Sequence, residues 1–81
     1  MSHLTELGRV QTGIRLERRL MKVLKATAQL YDLSLGDFLE KVIHSTFAGR
    51  HPFSDAALAQ IAELARIYGL EPLPPHVFRQ P

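Results

Sequence analysis

The sequence predicts a mainly helical domain preceded by one short strand that pairs with its own copy. Three observations lead there. Apolar residues alternate with polar ones over residues 10–16, then recur at spacings of three and four from Glu17 onward. Polar caps and glycines divide that helical pattern into three stretches. Alternation is the mark of a half-buried strand, and the longer spacings are the mark of an amphipathic helix.

Residues 1–9 form an amino-terminal arm, and 1–8 (MSHLTELG) carry little periodic signal. In the next segment Val10, Thr12, Ile14 and Leu16 fall on one face of a strand, and Gln11, Gly13 and Arg15 on the other. A single strand exposes unpaired backbone on both edges. In an otherwise helical chain the natural partner is the same segment of a second copy. From Glu17 to Leu33 the residues Leu20, Val23, Leu24, Thr27, Ala28, Leu30 and Tyr31 predict a first helix.

Ser34 followed by Asp37 has the pattern of a capping box and predicts a second helix from Leu35 to Thr46 or Phe47. Its buried stripe reads Phe38, Leu39, Val42, Ile43 and Phe47. Gly49-Arg50-His51-Pro52 ends it, because proline cannot continue a helix. Ser54 or Asp55 then caps a third, alanine-rich helix with Leu58, Ile61, Ala62, Leu64, Ala65 and Tyr68 on one face. Gly69 before Leu70 has the form of a Schellman ending. Residues 71–78 are broken by Pro72, Pro74 and Pro75 and read as extended. The domain division is therefore an arm over 1–9, a dimerisation unit over 10–49, and a helix with a proline-rich tail over 50–81.

A chain of 81 residues is one domain and buries only a modest share of its surface. It has no cysteine, so no disulfide can staple it. His3, His44, His51 and His76 are scattered rather than set at metal-ligand spacing. No cofactor or metal is expected, and self-association is the expected source of extra core. His44 lies four residues after Glu40, which suits a surface contact on one helix face. No apolar run reaches the roughly 18–20 residues of a membrane span, and no signal pattern opens the chain, so a soluble, cytoplasmic protein is expected. Catalytic signatures are missing: there is no phosphate-binding glycine loop and no His-Glu-x-x-His pattern, and the chain is read as a non-enzyme.

The formal charge of +2 conceals an asymmetry. Residues 9–25 carry Arg9, Arg15, Arg18, Arg19, Lys22 and Lys25 against Glu17 alone, and the remainder holds four basic and seven acidic residues. Such a concentration attracts polyanions, although an ordinary solvated helix face has similar composition.

Residues 10–47 resemble the ribbon-helix-helix family of DNA-binding proteins. The resemblance rests on Ile14-Arg15-Leu16 leading into a helix with Leu20, Leu24 and Ala28 four apart, and on Leu33-Ser34 before the second helix. It implies an intertwined homodimer whose strands pair antiparallel and enter the major groove of double-stranded DNA. By position the base readers would be Gln11, Gly13 and Arg15. Thr12, Ile14, Leu16, Leu20, Leu24, Ala28, Phe38, Leu39 and Val42 would form the dimer core. Gln pairs bidentately with adenine and Arg with guanine. Gly13 departs from the family, whose central reader is polar; it either allows close backbone approach, marks a bulge, or signals a ribbon that no longer reads sequence.

The family also holds a DNA phosphate on the amides that open its second helix, here Ser34 and Leu35. Asp37 is a second departure, since its carboxylate competes for those amides. Arg9, Arg18, Arg19 and Lys22 are the cations that could compensate on phosphates. The resemblance thus implies a sequence-specific transcriptional regulator of the repressor type, with an antitoxin-like arrangement if residues 52–81 bind a protein partner. The alternative is a dimerisation and protein-interaction module without specific DNA binding, acting through its carboxy-terminal helix.

Overall fold

A computed structural model of the chain describes residues 8–75, 77 and 78. Most of the arm, with His3, and also His76 lie outside those residues. Helix α1 spans Arg18–Leu30. It starts one residue later than its apolar pattern suggests because Glu17 is its N-cap, the carboxylate accepting from the Leu20 amide at 3.0 Å. It stops at Leu30 because Asp32 turns left-handed at φ 57°. The Leu33 and Asp32 amides then bond back to Ala28 and Gln29, each at 3.0 Å, closing a Schellman turn on a non-glycine residue.

Helix α2, Leu35–Phe47, opens on Ser34, whose hydroxyl accepts from the Asp37 amide at 3.2 Å. Half of the expected capping box is therefore present. Helix α3, Asp55–Tyr68, is capped by Ser54, which accepts from the Ala57 amide at 3.1 Å. Gly49 and Gly69 lie at φ 74° and 72°, and the amides of Arg50 and Leu70 bond back to Ser45 and Ala65. Helices α1, α2 and α3 thus end in the same way, the last as its Gly-Leu pair suggested.

A left-handed residue costs an L side chain about 1–2 kcal/mol. Space is not the issue at Gly69, where an added Cβ meets nothing within 4 Å. Gly69→Ala is expected to lower stability by about 1 kcal/mol from backbone strain alone, and Asp32→Gly to change it by a smaller amount in the opposite sense. Urea midpoints at constant slope check both.

Among the described residues there is no strand, and the fold is all-α. This corrects the expected ribbon over residues 10–16. A strand exists through ladder bonds to a neighbour, and the single chain offers that segment none. The segment is instead tied at its ends by Arg9, 2.9 Å from the Glu40 carboxylate, and by the Glu17 cap. Val10 and Ile14 stay in solvent, 85% and 63% exposed, and Leu16 is partly covered.

Helix α1 is the central element and packs on both α2 and α3. Its inner face presents Val23, Thr27 and Ala28, all buried, with Phe38 of α2 and Ala57 of α3. The Thr27 hydroxyl donates to the Val23 carbonyl at 2.7 Å, so no polar group is stranded there. The turn before α3 adds Phe53, whose ring centroid lies 6.0 Å from Phe38 and 6.2 Å from Tyr31, with Tyr31 itself 6.2 Å from Phe38. Aromatic pairs at such separations contribute about 0.5–1.5 kcal/mol beyond the area they bury.

The α2 stripe is corrected in part. Phe38 is buried, but Ile43 is 47% and Phe47 86% exposed. Leu39, Ile43 and Phe47 are spaced four apart, so they line a second face of α2, which the other described residues cover in part at Leu39 and leave open at Ile43 and Phe47. Of the residues expected in a dimer core, Ala28 and Phe38 are buried within one chain, Leu16, Leu24, Leu39 and Val42 are partly covered, and Thr12, Ile14 and Leu20 are exposed.

Candidate nucleic-acid interface

The approach to α1 and its first two turns gather half of the chain's ten lysines and arginines. Arg15 precedes the cap, Arg18 and Arg19 occupy the first turn, and Lys22 and Lys25 follow at helical spacing, all solvent-exposed. No acidic residue occupies the first turn of α1, so the arginines add to the positive end of the helix dipole. Glu17 is the one opposing charge. Its carboxyl is held below the usual range, first by the Leu20 amide, then by the Arg19 amide, with smaller help from the Arg19 and Arg18 charges.

A depressed carboxylate contributes stability above its unfolded value and loses it as pH falls through the folded one. Helicity followed by circular dichroism should therefore fall on acidification below the ordinary carboxylate range. In Glu17→Gln the part of that fall due to the α1 cap should be missing.

The residues expected to read bases, Gln11, Gly13 and Arg15, are all exposed, and an added Cβ at Gly13 meets nothing within 4 Å. The cations expected on phosphates divide into two groups. Arg9 lies 2.9 Å from Glu40 and 3.9 Å from Asp37, so it offsets the acidic start of α2 instead of standing free. Glu40 is thereby turned to Arg9. Arg19 donates to the Gly69 carbonyl at 3.3 Å, and the Lys22 ammonium sits 5.8 Å from the centre of the Tyr68 ring. Both serve the carboxy-terminal end of α3, where carbonyls and the helix dipole favour cations.

Arg18 keeps its charge unpaired by any carboxylate among the described residues, as do Arg15 and Lys25. Lys25 belongs to the basic run but was not among the expected phosphate contacts; its spacing of seven from Arg18 was the available signal.

The Ser34 and Leu35 amides open α2, a place where backbone donors suit an anion. Asp37 and Glu40 stand in the same region, with Arg9 between them and the arm. The positive surface is therefore strongest at α1 and offset at α2. Among the described residues no three His, Cys, Asp or Glu side chains gather as a metal ion would need, and no helix is long and apolar enough to cross a membrane.

Comparison with family models, with curated proteins and with solved structures finds no match to this chain. The resemblance over residues 10–47 stands on those residues alone.

Proposed function

We propose that this chain is a homodimeric, cytoplasmic DNA-binding protein that regulates transcription, with Gln11, Arg15, Arg18 and Lys25 facing duplex DNA. The observation that carries the reading is the exposed trio Arg15, Arg18 and Lys25 on α1 and its approach, which has no carboxylate partner among the described residues, in a chain whose residues outside 9–25 are acidic on balance. Arg15 and Gln11 are the side chains of this surface with hydrogen-bonding geometry suited to base edges, guanine for the first and adenine for the second. Arg18 and Lys25 suit phosphates, which fix position without reading sequence.

The dimer follows from the shortage of core. Four apolar side chains and Thr27 are buried among the described residues, two of the four being alanine. Ordering a residue's backbone costs about 1–2 kcal/mol, so a three-helix unit with so little burial gains stability by covering its open apolar face with a second copy.

Arg15→Ala is expected to weaken binding to a preferred duplex by about 1–3 kcal/mol while leaving the dimer intact. Arg18→Ala should weaken binding to every duplex alike and flatten the salt dependence by about one unit of slope. Fluorescence anisotropy at several salt concentrations reads both.

A protein-interaction role for residues 52–81 is favoured by a separate observation. Ile67, Leu73 and Phe78 are exposed apolar groups on α3 and the tail. The two roles are compatible, because α3 is packed on α1 and leaves its outer side open.

A further inference from the structure

On α1, Arg18, Lys22, Lys25 and Gln29 recur at spacings of four, three and four, so they share one face of the helix. About two and a half turns separate Arg18 from the buried Thr27, which puts that face opposite the core. Part of it borders α3, where Lys22, Lys25, Ala26, Gln29 and Tyr68 line a hollow of about 350 Å³. We infer that this hollow seats backbone phosphates of duplex DNA, so that the carboxy-terminal end of α3 belongs to the nucleic-acid surface. The inference rests on the DNA reading above and adds Lys22, Gln29 and Tyr68 to it.

Repulsion within the row is the first support. Like charges three or four positions apart on a helix destabilise it. Arg18 with Lys22 and Lys22 with Lys25 are such pairs, and no acidic residue stands three or four positions from any of the three. None of them has a carboxylate partner among the described residues. Glu63 of α3, which lines an adjoining hollow with Ala26 and Gln29, is engaged by Arg66 of its own helix. An anion laid along the row relieves a repulsion that the chain alone leaves standing.

The donors and their layout are the second. Among the described residues the hollow offers two ammonium groups, the Gln29 amide and the Tyr68 hydroxyl, and no carboxylate. The Lys22 ammonium sits 5.8 Å from the centre of the Tyr68 ring, and a ring face holds a cation without consuming its three N–H donors. Lysine, glutamine and tyrosine side chains are among the groups that contact phosphates in protein–DNA interfaces. A lone anion would need the hollow only. The row instead runs from Arg18 to Lys25 over about 10 Å of helix, with Arg15 ahead of it. One strand of a duplex carries a phosphate per roughly 3.4 Å of axis, so a row of that length meets more than one. A regularly charged polymer therefore matches it better than a small anion does.

The test titrates a labelled duplex of mixed sequence with the full chain, by anisotropy at several salt concentrations, because phosphate contacts do not depend on sequence. Lys22→Gln should weaken binding at least about threefold and flatten the salt slope by about one unit, whereas Lys41→Gln, an equal change of charge on α2, should leave both nearly unchanged. Tyr68→Glu, which sets a carboxylate at the hollow, should weaken binding at least about tenfold without loss of helix content. A Lys22–Tyr68 contact that merely braces α3 would lower the melting temperature of Lys22→Gln and leave the slope alone. Equal effects of Lys22→Gln and Lys41→Gln, an unaltered slope, or tighter binding of poly-glutamate than of duplex at equal charge would each overturn the assignment. Loss of the Lys22 effect in a chain that still prefers its upstream duplex removes this assignment alone. A Lys22 effect without any sequence preference removes only the sequence-specific reading, and a parent chain that binds no duplex removes both.

Discussion

Phe47→Asp is expected to turn the proposed dimer into a monomer. Within one chain Phe47 is 86% exposed and makes no part of the aromatic cluster, so a carboxylate there costs the isolated chain little. Leu39 and Ile43 continue its stripe along α2. In a two-fold dimer each Phe47 is buried once per chain, and each burial is worth about 1.5–3 kcal/mol, so both together weaken association on the order of a hundredfold or more. A buried, unpaired charge adds to that loss. Sedimentation at a series of concentrations measures the shift. A mass and a melting temperature unchanged from the parent would remove this face of α2 from the dimer.

Phe38→Ala should act in the opposite place, inside the chain. Phe38 is 4% exposed and packs its ring at about the same distance from Tyr31 and from Phe53, so it joins the end of α1, the body of α2 and the turn before α3. Replacing a buried phenylalanine by alanine costs about 3–5 kcal/mol. With so few other buried side chains to absorb the loss, the variant is expected to lose cooperative unfolding. A sharp thermal transition near that of the parent would show that α2 is held by something other than the aromatic cluster.

Helix boundaries were readable in the sequence wherever a local rule sets them. Ser34, Ser54 and the Gly69-Leu70 pair act through bonds within a few residues, and they lie where the sequence put them. Asp32 escaped notice because aspartate takes the left-handed position less often than glycine, so α1 ends at Leu30 although its apolar pattern runs on. Phe53 was missed for a related reason. It belongs to no helix stripe, and its place just before the Ser54 cap was the sole hint that it packs.

Long-range relations were less readable. The alternation over residues 10–16 describes which side chains share a face but not whether a neighbouring strand exists, and the described chain has none. Phe47 matched the α2 stripe by period, yet one helix can carry two apolar faces, and α1 covers the one that includes Phe38. The charge count located the basic segment correctly but treated its members alike. Arg9, Arg19 and Lys22 found partners in Glu40, Gly69 and Tyr68, which are 31 to 50 residues away in sequence. No spacing rule reaches that far. Of the basic segment, Arg15, Arg18 and Lys25 remain without a carboxylate partner among the described residues, and the DNA proposal rests on them.

The most direct test of that proposal is an anisotropy titration of the full chain with duplex DNA from upstream of its own gene and with a scrambled duplex, at several salt concentrations. The account predicts tighter binding to the upstream duplex, a steep fall with salt, and loss of the preference in Arg15→Ala. Equal weak binding to both duplexes, or none at any salt, would contradict it and leave the apolar faces of α2 and α3 as the functional surfaces of the protein.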